Sequence, residues 1–493
     1  MSDRPDPRLS GQDRIDTHHK HLRRGFNWLG GAMVIAKATD LGTILLVLLF
    51  LTKAQVGIAS LVVAIGTVIE ALDGLGTNIA LVQAPALSAL QLDSVFWCIA
   101  AVALAVAGVT LAGAPWLGVL YGGAAIAPYF LAVAIKQPLV GAAVIPLALM
   151  SRDLQYERIA IVNVGATFAT ALTRIGLAAL GAGAWALVAA YAASGLFTLI
   201  GALLARPYRP RLRFEMAAAA PLLRFGVRAA SSNLFEQLLN NVDYLLVGGF
   251  YGPAPLAVYR VAFDVAMQPA IAVGTLINRA ALPVFAKVAT VREHLAQSLT
   301  WSLRRVAIMV APLAASLILA AGPITSLIHD GQGRSYAAAG IPLMLLAAAT
   351  VPRMLAQLIY PLLLGSGRPK IAMRLSAVTL LLLGAGFVLV GFGFPARSGI
   401  VGFALVWLTV YPLLLLWEAR YVQRHWAIGL GRLARTLLAP LVAAGLLVAA
   451  VELARRLIGG GSPALQLALV LAAAALTYGG IFLHERRTPQ RTA

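Results

Sequence analysis

Acidic charge is scarce in this chain. Nineteen Asp and Glu stand against 39 Lys and Arg in 493 residues, and the four types together make up 12%. A soluble domain carries about 25% charged residues, so there is too little polar surface for a water-facing protein of this length. Cysteine is almost missing as well. The lone Cys98 excludes an intrachain disulfide and a cysteine-based metal centre. Long polar segments are lacking: beyond the first 24 residues no gap between apolar runs exceeds about 20 residues, which leaves no place for a soluble catalytic domain. No Walker-type phosphate loop, G-x-S-x-G, H-E-x-x-H or paired-cysteine motif occurs. The GQGRS run at 331–335 has glycines and an Arg without the G-K-[ST] ending, and reads as a loop. ATP hydrolysis is therefore not expected of this chain.

Apolar residues are abundant, at 60%, with a mean hydropathy of +0.84. They fall in runs of about 20 residues, the length of helix that crosses a hydrocarbon core about 30 Å thick. The expectation is an all-α polytopic membrane protein with about 14 transmembrane helices. These are placed near 25–51, 57–82, 91–113, 124–150, 158–181, 184–205, 221–250, 255–285, 298–321, 337–364, 370–392, 398–418, 434–457 and 464–483. Residues 1–24 are polar and hold His18, His19 and His21; they read as a disordered tail, not as a metal site or a signal peptide.

The basic residues alternate by gap. One set of gaps, with both tails, holds 28 Lys and Arg and the other holds 5, which predicts that both termini are cytoplasmic. The net charge of +20 is thus mostly a signal of orientation, and no nucleic-acid partner is expected. The basic, Pro-rich linker 206–220 separates a six-helix bundle at 25–205 from a second at 221–418, both starting inside. That is the pattern of parallel repeats related by a pseudo-two-fold along the membrane normal. Two extra helices at 434–483 and a cytoplasmic tail at 484–493 follow. Shifting 45–82 by 200 gives eight identities in 38 positions, among them Leu45/Leu245, Phe50/Phe250, Gly74/Gly274 and Asn78/Asn278. The shared helix–turn–helix register is the stronger sign of the repeat.

Several segments carry a resemblance. The second span closes with LDGLGTNIALVQ (72–83), and the fourth is followed by SRDLQYERIA (151–160). The seventh and eighth read NNVDYLLVGGFYGPAPLAVYRVAF (240–263), the eighth leaves through NRAALPVFAKV (278–288), and the tenth through LLLGSGRPK (362–370). In order and position these resemble the polysaccharide flippase family of the multidrug/oligosaccharidyl-lipid/polysaccharide exporter superfamily. The resemblance implies a bacterial inner-membrane transporter, not an enzyme. It would move undecaprenyl-pyrophosphate-linked oligosaccharide to the outer leaflet by alternating access, for O-antigen, capsule or exopolysaccharide. A polysaccharide polymerase and export machinery are the partners it implies. The family pattern has a small polar residue where Arg260 stands and a basic one where Asp264 stands, so the charge pattern there is particular to this chain.

Six cations fall inside spans: Lys37, Lys136, Arg174, Arg260, Arg279 and Arg353. At 1.5 Å per residue Lys37 lies about 18 Å into its helix, and Arg174 and Arg353 about 24 Å into theirs. Each buried cation costs about 2.5–3.5 kcal/mol and needs a partner or a wet cavity. One reading assigns Lys37, Lys136, Arg174 and Arg353 to a cavity for the diphosphate. The other is structural pairing, with Lys37–Asp40 at i, i+3, and Arg260–Asp264 at i, i+4 facing Asp243. The acids Asp40, Glu70, Asp73, Glu236, Asp243 and Asp264, with Arg260, are candidates for H⁺ or Na⁺ coupling or for gating. Asp243, in its Asn240-Asn241-x-Asp cluster, is preferred as the ion site. No cofactor or bound metal is expected. Asn27, Asn78, Asn163, Asn233 and Asn278 bond either sugar hydroxyls or neighbouring helices. Trp116, Trp185 and Trp426 read as interfacial anchors. A multidrug or cation antiporter of the same superfamily, a peptidoglycan-precursor flippase, and a membrane glycosyltransferase or polymerase are the alternatives.

Overall fold

The computed structural model describes residues 11–84, 86–288, 291–426, 428–458 and 462–487. Among them regular structure is helical, and one isolated bridge pairs His329 with Ser335. Sixteen α-helices build the fourteen expected crossings, because two crossings are broken. The first lobe holds α1 (Gly11–Leu48), α2 (Lys53–Glu70), α3 (Thr77–Gln83), α4 (Ala89–Leu120), α5 (Phe130–Arg152), α6 (Tyr156–Ala179) and α7 (Trp185–Ala205). The second holds α8 (Met216–Tyr251), α9 (Pro253–Val288), α10 (Arg292–Leu327), α11 (Gly340–Ala356), α12 (Ile359–Gly365), α13 (Pro369–Gly393) and α14 (Ala396–Trp426). The last pair, α15 (Leu430–Ile458) and α16 (Pro463–Arg487), packs on α10.

Among the described residues thirteen helical segments have the length and apolarity to cross a membrane. The remaining crossing is α8, whose middle carries Glu236, Gln237, Asn240, Asn241 and Asp243 and which packs against α2, α3 and α4 of the first lobe. The chain is an all-α, multi-pass membrane protein.

The repeat is visible in which helices touch. The pairs α1–α6, α4–α5, α5–α7 and α6–α7 recur as α8–α13, α10–α11, α11–α14 and α13–α14. Between lobes, α2 meets α8 as α9 meets α1, and α2 crosses α9. The 200-residue offset holds at the helix starts, Lys53 and Pro253. Gly57 sits at that crossing, where a Cβ would stand 1.7 Å from the carbonyl oxygen of Pro253, so only glycine allows so close an approach.

The broken crossings have local causes. Between α2 and α3 the run Asp73–Gly76 forms a 3₁₀ turn, with Gly74 and Gly76 at φ +64° and +63°, a region L side chains avoid. Between α11 and α12, Pro361 has no N–H to offer the carbonyl of Gln357, and the helix stops there. Pro138, Pro146 and Pro269 lie within continuous helices. Thr52 and Ser88 start α2 and α4 with capping boxes to Gln55 and Gln91.

Several expected boundaries are corrected. Residues 11–24, expected as disordered, continue α1, since no proline interrupts the stretch after Pro7; residues 1–10 lie outside the described residues. The linker ends at 215, where α8 begins. It is pinned to the start of α4: Tyr208 Oη and the Arg211 amide donate to Asp93 (3.0 and 3.2 Å), Trp97 Nε1 donates to the Arg211 carbonyl (2.9 Å), and the Glu215 amide to Ser94 (2.9 Å). This end of the molecule is the linker face, and the other, carrying the 328–336 turn, is the hairpin face. Trp116 is exposed as an interfacial anchor should be, whereas Trp426 is buried with Arg368 4.9 Å over its ring. Helix α14 runs on to Trp426, eight residues past the expected end at 418.

Candidate functional site

A cavity of about 520 Å³ lies between the lobes, walled by α1, α2, α6 and α7 of the first and by α9 of the second. Its charged lining is Lys37 and Asp40 from α1, Arg174 from α6, and Arg260 and Asp264 from α9. Three cations thus face two carboxylates. Lys37 Nζ donates to Gln268 Oε1 at 3.2 Å, and Asp40 Oδ1 stands 3.9 Å from Arg174. The expected Lys37–Asp40 pair is therefore replaced by partners on other helices. Arg260 Nε bonds Asp264 Oδ2 at 3.2 Å, as the i, i+4 spacing predicts, and Gln268 and Tyr244 donate to Asp264 Oδ1, each at 3.4 Å. Arg174 is less satisfied: its Nε and one terminal nitrogen are buried without a hydrogen-bond partner among the described residues.

The four cations expected to share one cavity do not converge. Lys136 lies behind the wall, 7% exposed, with its amine 2.7 Å from Glu70 Oε1 and 3.6 Å over the ring of Tyr191. The Tyr191 hydroxyl donates to the same Glu70 carboxylate, so Glu70 belongs to this ion pair. Two glycines make the room, since a Cβ at Gly66 would meet the Tyr191 hydroxyl at 2.6 Å and one at Gly195 would meet Lys136 Cγ at 3.0 Å.

Arg353 lies in the core of the second lobe, 2% exposed. It donates to Asn240 Oδ1 at 3.1 Å and stacks 4.6 Å over Trp407, with Phe263 and Tyr411 beside it. Asp243 is fully buried nearby and accepts from Tyr259 Oη and from the Tyr244 amide, each at 2.9 Å, while Trp407 Nε1 donates to Tyr259. Asp243 thus accepts from neutral donors, and Tyr244, whose hydroxyl donates to Asp264, links it to the Arg260–Asp264 pair. Glu236 is exposed, and the side chain of Asp73 lies outside the described residues. Among the described residues no three His, Cys, Asp or Glu gather as a metal site would need.

Two features escaped the sequence reading. Glu418 is 3% exposed, and one of its oxygens has no partner among the described residues. The cavity wall of α6 and α7 carries a run of polar side chains, of which the sequence pointed to Asn163 and Arg174 but not to Thr167, Thr170, Tyr191, Ser194 or Thr198.

Beyond the cavity the hairpin face is shut. In the 328–336 turn, Asp330 accepts from the amides of Gln332 and Arg334 (3.0 and 2.8 Å) and from Arg334 Nε (3.1 Å). The Gly331 amide donates across the lobes to the Leu51 carbonyl (2.9 Å), and Lys53 Nζ donates to the Ser335 carbonyl (2.7 Å).

Two pseudo-symmetric six-helix lobes with a charged cavity at their junction are a fold that solved flippases and multidrug transporters share. The fold matches lipid II flippase MurJ in an inward closed conformation, with a TM-score of 0.71 and 11% identity over 94% of this chain and 99% of that one. It also matches an inward-facing multidrug resistance MATE family transporter of the MOP superfamily, with a TM-score of 0.61 and 14% identity over 81% of this chain and 94% of that one. The sequence profile of the polysaccharide biosynthesis protein family matches residues 48–335, and the chain belongs to that family. Among its relatives, the lipopolysaccharide biosynthesis protein WzxC of Escherichia coli (strain K12) is 24% identical over 390 residues, covering 78% of this chain and 77% of that protein.

Proposed function

We propose that this protein is a flippase. It carries an undecaprenyl-pyrophosphate-linked oligosaccharide from the cytoplasmic to the outer leaflet of a bacterial inner membrane by alternating access, for surface polysaccharide. The observation that carries the reading is the interlobe cavity, where Lys37, Arg174 and Arg260 outnumber Asp40 and Asp264 and two buried donors of Arg174 have no partner among the described residues. A guanidinium offers forked donors that fit phosphate oxygens, and an ammonium adds a compact charge. Such cations in the membrane repay their burial when an anion arrives. The excess of Lys and Arg on the linker face supports a cytoplasmic linker face and cytoplasmic termini. With the hairpin face shut, the cavity would then load from the inner leaflet. Outward movement of an anion gains about 2.3 kcal/mol per charge per 100 mV of inside-negative potential, so H⁺ or Na⁺ coupling is not a thermodynamic requirement.

Deleting the gene should make undecaprenyl-diphosphate-linked oligosaccharide build up on the cytoplasmic side. Unchanged lipid-linked pools with normal surface polysaccharide would sink the proposal. Arg174→Gln and Lys37→Gln should each cut export about 10- to 100-fold, the worth of a charge-assisted hydrogen bond, with normal amounts of protein in the membrane. A net positive cavity disfavours cationic drugs, so drug sensitivity of the deletion strain should match the parent; a marked rise would favour the antiporter reading.

A further inference from the structure

The side chains that α6 and α7 send into the cavity are spaced in a matched pattern. On α6 the polar ones are Asn163, Thr167, Thr170 and Arg174, in steps of four, three and four residues, with the methyl of Ala166 between the first two pairs. On α7, read in the opposite direction, Thr198, Ser194, Tyr191 and Leu187 follow the same steps of four, three and four. The two helices are antiparallel neighbours joined by a short turn, so the pairs climb the wall together, one pair per helical turn. A turn rises about 5.4 Å, the scale of one ring in an extended glycan. The three pairs nearer the linker face are polar throughout, and the fourth brings in Arg174.

The hydroxyls are set to receive hydrogen bonds. Thr167 and Ser194 spend their protons on backbone carbonyls of their own helices, Asn163 O at 2.9 Å and Tyr191 O at 2.7 Å. Their oxygen lone pairs are left as acceptors. Thr170 is 6% exposed and lines the cavity, yet its hydroxyl has no partner among the described residues. A buried hydroxyl without a partner costs free energy that a ligand or water reaching it from the cavity would recover. The α2 wall differs: its residues that line the cavity are Val56, Ala59 and Val63.

We propose that the α6–α7 wall is the glycan-binding surface of the transporter. The first sugars after the diphosphate lie along the three polar pairs, with the diphosphate at Arg174. Pyranose hydroxyls donate to Thr167 and Ser194 and exchange hydrogen bonds with Thr170, Asn163 and Thr198, while the apolar α2 wall faces the less polar side of the rings. This assignment rests on the flippase reading above, and gives the cavity a direction, with phosphate toward the hairpin face and sugar toward the linker face.

The test uses the purified full-length protein in nanodiscs and two probes. One is undecaprenyl diphosphate without sugar; the other is the undecaprenyl-diphosphate-linked oligosaccharide extracted from the deletion strain. Wild type should bind the glycan-bearing lipid about tenfold more tightly, the worth of one or two net hydrogen bonds. The combined Thr167→Val, Thr170→Val, Ser194→Ala and Thr198→Val variant should bring the ratio of the two affinities close to one. Its retained binding of the sugar-free lipid would report a folded cavity. If the combined variant does not fold, Thr170→Val and Ser194→Ala taken singly should each lower the ratio about threefold. A ratio unchanged in the variants overturns the glycan wall while leaving the flippase reading intact. If wild type binds neither lipid, the flippase reading fails and the wall falls with it.

Discussion

Lys136 shows what an isolated charge in the sequence conceals. Its depth suggested a phosphate ligand, but Glu70 and Tyr191 neutralise and cover it behind the cavity wall. Removing one partner of a buried pair costs more than removing both. Lys136→Met should therefore destabilise by about 3 kcal/mol, and adding Glu70→Gln should restore most of that. Thermal unfolding of the detergent-solubilised variants orders them, and a double variant melting no higher than the single would refute the pairing. Asp330 carries a pH dependence outside the membrane spans. Burial alone would raise its carboxyl, but bonds from the Arg334 and Gln332 amides and from the Arg334 side chain outweigh that and hold it below the usual carboxylate range. A depressed value means that its stabilisation is complete above the unfolded value of about 3.9 and lost as pH falls through the folded one. Spin-label distances across the hairpin face should stay constant from pH 8 to about 5 and lengthen only in stronger acid, and Asp330→Asn should abolish that step. At this scale the sequence disclosed which charges are buried, but not which meet. Lys37 reaches Gln268 and Asp40 approaches Arg174, across 231 and 134 positions of chain, and spacing along one helix says nothing about such partners. Glu418 was lost for a simpler reason: it fell on the expected last residue of a span that continues to Trp426.

At the scale of elements, hydropathy located the crossings because the bilayer demands apolar length, and the run DGLG marks its own break through two left-handed glycines. Helices α8, α9 and α10, each of 36 residues, extend well past a hydrocarbon core. Hydropathy registered nearly all of that length in α8 and α9, expected at 221–250 and 255–285, and missed most in α10, expected at 298–321, whose start at Arg292 and Glu293 is charged. The polar wall of α6 and α7 was equally hard to read, because one hydroxyl per turn barely alters a 19-residue average. The crossing of α2 and α9 was legible only as a repeat offset, yet it hinges on one residue. Gly57→Ala places a methyl where the Pro253 carbonyl stands, so the two helices must part at the hairpin face. In a Cys98→Ser background, a cysteine at position 53 should then react faster with a membrane-impermeant maleimide than in the same protein with Gly57. Equal rates would mean that the crossing does not control closure.

For the molecule as a whole, the matched helix pairs make each lobe a body with its own packing, joined by a linker fixed to α4 of the first. The hairpin-face closure is of another kind. At the turn its cross-lobe hydrogen bonds are the Gly331 amide to Leu51 and the Lys53 amine to Ser335. At about 1 kcal/mol net apiece, two such bonds bias a two-state equilibrium by a factor of about 30. By that contribution alone, about 3% of molecules would have the hairpin face apart at any moment. Closure at the turn is then a population and not a lock. A substrate needs only a roughly 30-fold preference for the other state to make the two equal.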